Sequence, residues 1–77
     1  MTREEIIEAA KANGWEKGFT TEPKEYWKTY DRKSRQKMRQ WFSDKQFERV
    51  KDDHYGLVKD GIRVEWREGC ANATITF

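Results

Sequence analysis

The Asp60-Gly61 dipeptide is the sequence feature that most restricts which fold this chain can adopt. It separates two runs of residues that are typical of β-strands. Asp-Gly between such runs is a strong hairpin signal, since a type I′ turn needs positive φ at both central positions. A two-residue turn here pairs residues whose numbers sum to 121, so Leu57 faces Val64. The sequence therefore predicts a hairpin between residues 54–59 and 62–67 with one defined register.

A second turn at Glu68-Gly69 predicts a third strand over residues 71–77, paired so that Val64 faces Ala73. The two turns, taken separately, place the same residues on one apolar face, which supports both registers. That face holds Tyr55, Leu57, Ile62, Val64, Trp66, Ala71, Ala73 and Ile75. The mostly polar opposite face is expected to meet solvent and holds His54, Val58, Arg63, Glu65, Arg67, Cys70, Asn72, Thr74 and Thr76.

The apolar residues predict a core built mainly from aromatic rings. Of the 21 apolar residues larger than alanine or cysteine, 11 are Phe, Trp or Tyr. Each such ring buries on the order of 150–250 Å². The 77 residues are therefore expected to form one folded domain, residues 1–77, and the ring content argues against a disordered chain.

The amino-terminal segment predicts a helix. Thr2 and Glu5 have the spacing of a capping box, in which the side chains at the helix start satisfy unpaired backbone N–H groups. Asn13-Gly14 is a typical helix end, because Gly readily takes the left-handed cap conformation. Trp15 follows this end and is expected to fold back into the core.

Two or three further helices are predicted in the middle of the chain. Pro23 is tolerated in a first helical turn, and Trp27 with Tyr30 gives the helix an apolar face. The polar stretch that follows contains no helix breaker, so residues 22–42 form either one helix or two. A short last helix is expected over residues 43–51, where the spacing of the apolar residues is again helical.

Together these elements predict an α+β fold. Three to four N-terminal helices pack on one face of a C-terminal three-stranded antiparallel meander, which gives two layers around one core. The same order of elements, helices followed by a hairpin, occurs in a winged helix-turn-helix. A winged helix-turn-helix-like arrangement is therefore the alternative.

Residues 31–42 form the most informative helical segment, because one side of it is broadly basic. At about 100° per residue, Ser34, Met38, Trp41 and Phe42 share one arc of roughly 100°. The complementary arc carries Arg32, Lys33, Arg35, Gln36, Lys37, Arg39 and Gln40. Residues 22–51 hold ten bases and five acids, whereas residues 52–77 hold three bases and five acids. Positive charge concentrated in this way indicates an anionic partner.

The residue types of common catalytic and metal sites are scarce. The predicted register places the single His54 and the single Cys70 two strands apart, roughly 9–10 Å, which is too far for a hydrogen bond. Asp52-Asp53-His54 is interpreted as a solvated helix end, and the five glycines are isolated rather than grouped in a phosphate-binding loop. We therefore expect a protein that is not an enzyme and uses no metal or cofactor.

The sequence also predicts the compartment. No apolar run approaches the ~18 residues that a membrane span needs, and no signal-peptide core is present. A single Cys forms no internal disulfide, which is typical of a reducing environment. We expect a cytoplasmic protein that does not bind membranes.

Two functional hypotheses follow from the surface. The first is a small non-catalytic protein that binds a nucleic acid or a nucleoprotein complex through the basic helix at about residues 31–42. Beyond the basic arc, the secondary candidates for contact are Tyr26, Lys45, Arg49, Arg63 and Arg67. The second is a protein-only interaction module, such as a small phage or mobile-element regulator or inhibitor, that covers an acidic surface of its partner. A helix face that is merely solvated is the alternative to both, and the oligomeric state is not predicted.

Overall fold

The computed structural model describes residues 1–50, 55–66 and 69–77. Within these ranges the chain forms two helices and six strands. In chain order they are α1 (Arg3–Ala12), β1 (Glu16–Thr21), β2 (Lys24–Lys28), α2 (Arg32–Asp44), β3 (Glu48–Arg49), β4 (Tyr55–Lys59), β5 (Ile62–Trp66) and β6 (Asn72–Thr76).

The strands form one antiparallel sheet in the order β1-β2-β6-β5-β4-β3, and both helices pack on the same face of it. This is a small α+β fold, but the predicted three to four helices on a three-stranded meander are wrong. The winged helix-turn-helix-like alternative is also wrong, because a β-hairpin separates α1 from α2 where that motif needs two helices joined by a turn.

The helix predicted from Pro23 onward is instead a β-hairpin. Strands β1 and β2 are joined at Glu22-Pro23, whose peptide bond is cis, and Thr21 pairs with Lys24. Pro suits a tight turn as well as a first helical turn, so the local signal was ambiguous. All five residues of β2 then pair with β6, which is distant in sequence. A helix at this position could not form these hydrogen bonds between strands. Of residues 22–42, only the part from Arg32 onward is therefore helical.

The last predicted helix is also wrong. Ser43 lies inside α2, and the chain leaves that helix at Gln46, which has a φ of +63°. The backbone N–H of Phe47 donates to the carbonyl oxygen of Phe42 at 3.0 Å, and the two rings meet edge to face at 4.8 Å. This reversal buries Phe47, and the next residues form the short strand β3, where Glu48 pairs with Val58.

The register of the first hairpin is confirmed, and that of the second is shifted by two residues. Leu57 pairs with Val64 as predicted, and Asp60 and Gly61 both have positive φ. Val64 pairs with Ile75 rather than with Ala73, because the connection between β5 and β6 is centred one residue later than Glu68-Gly69. An even shift leaves the described residues of these strands on their predicted faces of the sheet.

The N-terminal helix is confirmed, and it packs against α2. The hydroxyl of Thr2 accepts from the backbone N–H of Glu5 at 3.2 Å, and the helix ends at Asn13. Gly14 has a φ of +87°, and a Cβ there would lie 2.7 Å from Oγ of Ser34. Only glycine therefore suits this close approach of the two helices.

The core lies between the helices and the inner face of the sheet. Its buried apolar residues are Ile6, Ala10, Trp15, Trp27, Met38, Phe42, Phe47, Leu57, Ile62, Val64, Trp66, Ala73 and Ile75. Five of these thirteen residues are aromatic, and they are the five largest by volume. The core is built around rings, as the composition predicted.

Candidate functional site

Helix α2 begins with a tightly bonded cap. The carboxylate of Asp31 accepts from the backbone N–H of Lys33 and from the hydroxyl of Ser34, each at 3.0 Å. The backbone bond, then the Ser34 bond, and then the nearby ammonium groups of Lys33 and Lys37 hold the pKa of Asp31 below its ordinary value of 3.8. The start of α2 is therefore fixed by a side chain that is charged at neutral pH.

One edge of α2 anchors the helix to the core. Ser34, Met38 and Phe42 are buried, as the helical wheel predicted, and Trp41 is half-buried. The indole N–H of Trp15 donates to the carbonyl oxygen of Ser34 at 3.4 Å. This anchoring determines which residues of α2 remain on the solvent side.

The solvent side of α2 presents a row of polar side chains between two rows of bases. At about 100° per residue, Gln36, Gln40 and Ser43 follow the centre of the exposed arc, opposite the buried edge. Lys33 and Lys37 lie on one side of this row, and Arg32, Arg35 and Arg39 lie on the other. Gln36, Arg39, Gln40 and Ser43 also line one open depression on the surface.

Exposure differs among the five bases. Arg32, Lys33 and Lys37 are exposed, whereas Arg35 and Arg39 are half-buried. The guanidinium of Arg35 reaches back to donate to the carbonyl oxygen of Thr29 at 3.4 Å. The exposed cations are therefore the groups of this helix that are most available to a partner.

Three cations on the solvent side of α2 have no ion-pair partner within the described part of the chain. Across residues 1–50, 55–66 and 69–77, no carboxylate lies within ion-pair distance of Arg32, Lys33 or Lys37. The one acid of the helix is Asp44 in its last turn, where it accepts from the Gln40 amide at 2.9 Å. We define the basic face as the five bases with the two glutamines of α2.

The secondary candidates are divided between different surfaces. Lys45 caps the C-terminus of α2, with its ammonium 5.7 Å from the centre of the Trp41 ring. Arg49 is exposed in β3, and Arg63 pairs with Glu65 at 2.7 Å on the outer face of the sheet. Tyr26 also lies on that outer face, and Arg67 lies outside the described residues. Of the described candidates, Lys45 alone adjoins α2, at the C-terminal end of the helix beside Trp41.

Two features of β1 and β2 were missed by sequence reasoning. Glu25 points into the protein and is fully buried, where its Oε1 pairs with Arg3 and, at 3.3 Å, with Lys17. Phe19 lies on the outer face and stacks on Tyr26. A Glu that faces the core contradicts the usual alternation of apolar and polar residues in a strand. The sequence pattern therefore predicted neither the buried Glu25 nor the exposed stacking of Phe19 on Tyr26.

The described residues form neither a metal site nor a membrane-spanning helix. Among the described residues, no group of three or more His, Cys, Asp and Glu is placed to hold a metal ion, and His54 lies outside that set. No helix in the described ranges has the length and apolar character to cross a membrane. Comparison with protein-family models, curated proteins and solved structures found no significant match.

Proposed function

We propose that this protein is a small non-catalytic nucleic-acid-binding protein that uses the basic face of α2. The observation that carries this proposal is the set of exposed cations without ion-pair partners, Arg32, Lys33 and Lys37, beside a row of glutamines. Lysine and arginine side chains supply the sequence-independent part of nucleic-acid affinity by neutralising phosphates. The glutamine row supplies amides that are suited to hydrogen bonds with base edges.

The position of the charges along α2 also supports a role in binding. Its first turn holds three bases and no acid, although the N-terminus of a helix is its positive end. Only the Asp31 cap opposes this repulsion within the described residues near the helix start. Cations at that end reduce helix stability, so their presence favours a purpose other than folding.

The dimensions of α2 suit a duplex groove. A helix with its side chains is about 10–12 Å across, and the major groove of B-DNA is ≈ 12 Å wide. In such a placement the two basic rows meet the phosphates on either side, and the central glutamines face the bases. Gln36 and Gln40 are both exposed, and the amide of Gln40 donates one of its two N–H groups to Asp44.

We also propose that the protein is located in the cytoplasm. Cys70 is an exposed free cysteine that forms no disulfide. A reducing compartment such as the cytoplasm keeps an exposed thiol reduced. An acidic protein surface, alone or within a nucleoprotein complex, is the rival partner for the basic face. The experiment below separates that rival from a nucleic acid.

The test is the salt dependence of duplex DNA binding by Lys33→Gln/Lys37→Gln. For wild type, the logarithm of the affinity should fall linearly with the logarithm of salt concentration, with a slope near −0.9 per phosphate contacted. Removing two contacts should flatten the slope by about 1.8. Fluorescence anisotropy with a labelled duplex measures both slopes.

Lys24→Gln/Lys28→Gln is the matched control, because it removes the same charge from the far side of the sheet. It should leave the duplex slope of wild type nearly unchanged. Equal effects of the two variants would show that net charge alone drives binding and would contradict the proposal. Wild-type capture of a protein that survives nuclease treatment and requires Lys33 and Lys37, without salt-dependent DNA binding, would favour the protein-only rival.

A further inference from the structure

The outer face of the sheet is the second surface with a distinctive composition. Both helices cover the inner face, so the outer face has no covering element among the described residues. On it, Phe19 and Tyr26 form a stacked pair with ring centres 4.4 Å apart and planes inclined by 20°. Phe19 stays 63% exposed, so its second ring face is open to solvent.

A β-bulge holds the ring pair in place. The pairing of β1 with β2 shifts by one residue between Lys17 and Thr20, so that Gly18 and Phe19 together lie opposite Tyr26. Bulges of this kind redirect a side chain, and here Phe19 comes to lie over the Tyr26 ring. A Cβ on Gly18 would lie 3.1 Å from the carbonyl oxygen of Tyr26, so a small residue keeps this approach open.

Two lysines flank the ring pair on the same face. Lys24 and Lys28 lie two residues before and after Tyr26, which places them roughly 6–7 Å away along β2. The ammonium of Lys28 lies 5.5 Å from the centre of the exposed Tyr30 ring. On the other side of Tyr26 its ladder partner is Thr74, which adds no charge. Glu16 lies directly opposite Lys28 in the β1–β2 ladder, so this face carries two cations and one anion beside the rings and has a net positive charge.

We infer that this surface, the ring platform of Phe19, Tyr26, Lys24 and Lys28, binds single-stranded nucleic acid. An unpaired base stacks on the open face of Phe19, and the flanking ammonium groups contact the neighbouring phosphates. Aromatic rings beside a positive track are the usual means of holding single strands without reading their sequence. The inference does not depend on α2, whose basic face lies on the opposite side of the two-layer fold.

The charge of the platform argues against a second copy of the chain as its occupant. A symmetric dimer through this face would bring together two surfaces of the same net positive charge, and like charges repel. The two rings also offer little apolar area beside the ≈ 800 Å² per partner of a standard interface. A polyanion that carries flat bases satisfies both the rings and the lysines.

The experiment compares a labelled oligothymidylate with an abasic strand of equal length, which has the same phosphates but no bases. Wild type should bind oligothymidylate about tenfold more tightly than the abasic strand, the factor expected when one base stacks on a ring. Phe19→Leu keeps an apolar side chain without the ring and should lose most of that preference. Since Phe19 is exposed, the variant should keep the melting temperature of wild type.

Lys24→Gln/Lys28→Gln should flatten the salt slope of single-strand binding by about 1.4, and by more than Lys33→Gln/Lys37→Gln, which removes the same charge from the opposite side of the fold. These matched variants separate failure of the platform from failure of the basic face. Equal affinity of wild type for both strands, or a wild-type preference retained by Phe19→Leu, would overturn the inference. Dimerisation that needs Phe19 and is not displaced by oligothymidylate would overturn it in favour of a second copy.

Discussion

The two helices differ most in where their charges lie. In α1, Glu4 and Glu5 occupy the first turn and Lys11 the last, so acids meet the positive end of the helix and a base meets the negative end. In α2 the first turn holds Arg32, Lys33 and Arg35 without an acid, and the last turn contains no base. The first arrangement stabilises its helix, and the second one does not.

Within α2 the charged residues of the first turn therefore oppose the helix dipole, whereas the residues at its two caps, Asp31 and Lys45, favour it. Both helices meet the core through a similar narrow edge, Ile6 with Ala10 in α1 and Met38 with Phe42 in α2. Arg3, the one base in the first turn of α1, is paired with the buried Glu25. The comparison therefore supports the proposal that the solvent side of α2 binds an anionic ligand.

The largest expected effect tests whether both helices are anchored alike. Phe42→Ala should lower the free energy of unfolding by about 3–5 kcal/mol and Ile6→Ala by about 2–5 kcal/mol, because both side chains are fully buried. Urea unfolding followed by circular dichroism measures both changes. A loss below about 1 kcal/mol for either variant would mean that its helix is not held by the core as described.

The second prediction concerns the neutral cap of α1. Thr2→Ala removes the side-chain oxygen that accepts from the N–H of Glu5, and should lower the free energy of unfolding by about 1 kcal/mol. Thr2→Ser, which keeps the hydroxyl, is the control and should stay close to wild type. An equal loss of stability in both variants would show that the hydroxyl of residue 2 does not stabilise α1.

The charged cap of α2 should instead depend on pH. The pKa of Asp31 is lowered in the folded protein, so its contribution to stability is present above the unfolded value of about 3.8 and is lost as pH falls through the folded pKa. Asp31→Asn keeps a capping side chain without that charge. The stability difference between wild type and Asp31→Asn should shrink below pH 3.8 in urea unfolding at stepped pH. A difference that is constant down to the acid transition would contradict this role of the charge.

The sequence correctly predicted the parts of the fold that depend on residues close together in the chain. The Asp60-Gly61 turn gave the β4–β5 register because the turn type alone sets which residues pair. The helical spacing of Ser34, Met38 and Phe42 correctly identified the buried edge of α2. Its exposed side was therefore also predictable, although the partial burial of Arg35 and Arg39 was not.

The hairpin β1–β2 was unpredictable for a physical reason. All six residues of β1 are exposed, so this edge strand has no alternation of buried and exposed positions. Strand β2 buries Glu25 beside Trp27, and its pairing with β6 joins segments that are distant in sequence. The ring platform depends on a bulge within this hairpin, so its geometry was hidden as well.

The smallest stability change belongs to a pair of charge reversals. Glu4→Arg in α1 should lower the free energy of unfolding by about 0.3–1 kcal/mol, because it places a cation at the positive helix end. Arg32→Glu in α2 should raise it by a similar amount, since it removes such a cation and adds an anion. Both side chains are exposed, so packing changes little.

The most direct test of the central claim measures Arg32→Glu twice, once for stability in urea and once for affinity to duplex DNA at fixed salt. If the charges of α2 serve an anionic ligand at the expense of the helix, the variant is at least as stable as wild type and binds duplex DNA more weakly. Glu4→Arg makes the opposite charge change in α1. It should be less stable than wild type and should bind duplex DNA no more weakly. An Arg32→Glu protein that binds duplex DNA as tightly as wild type would contradict the account.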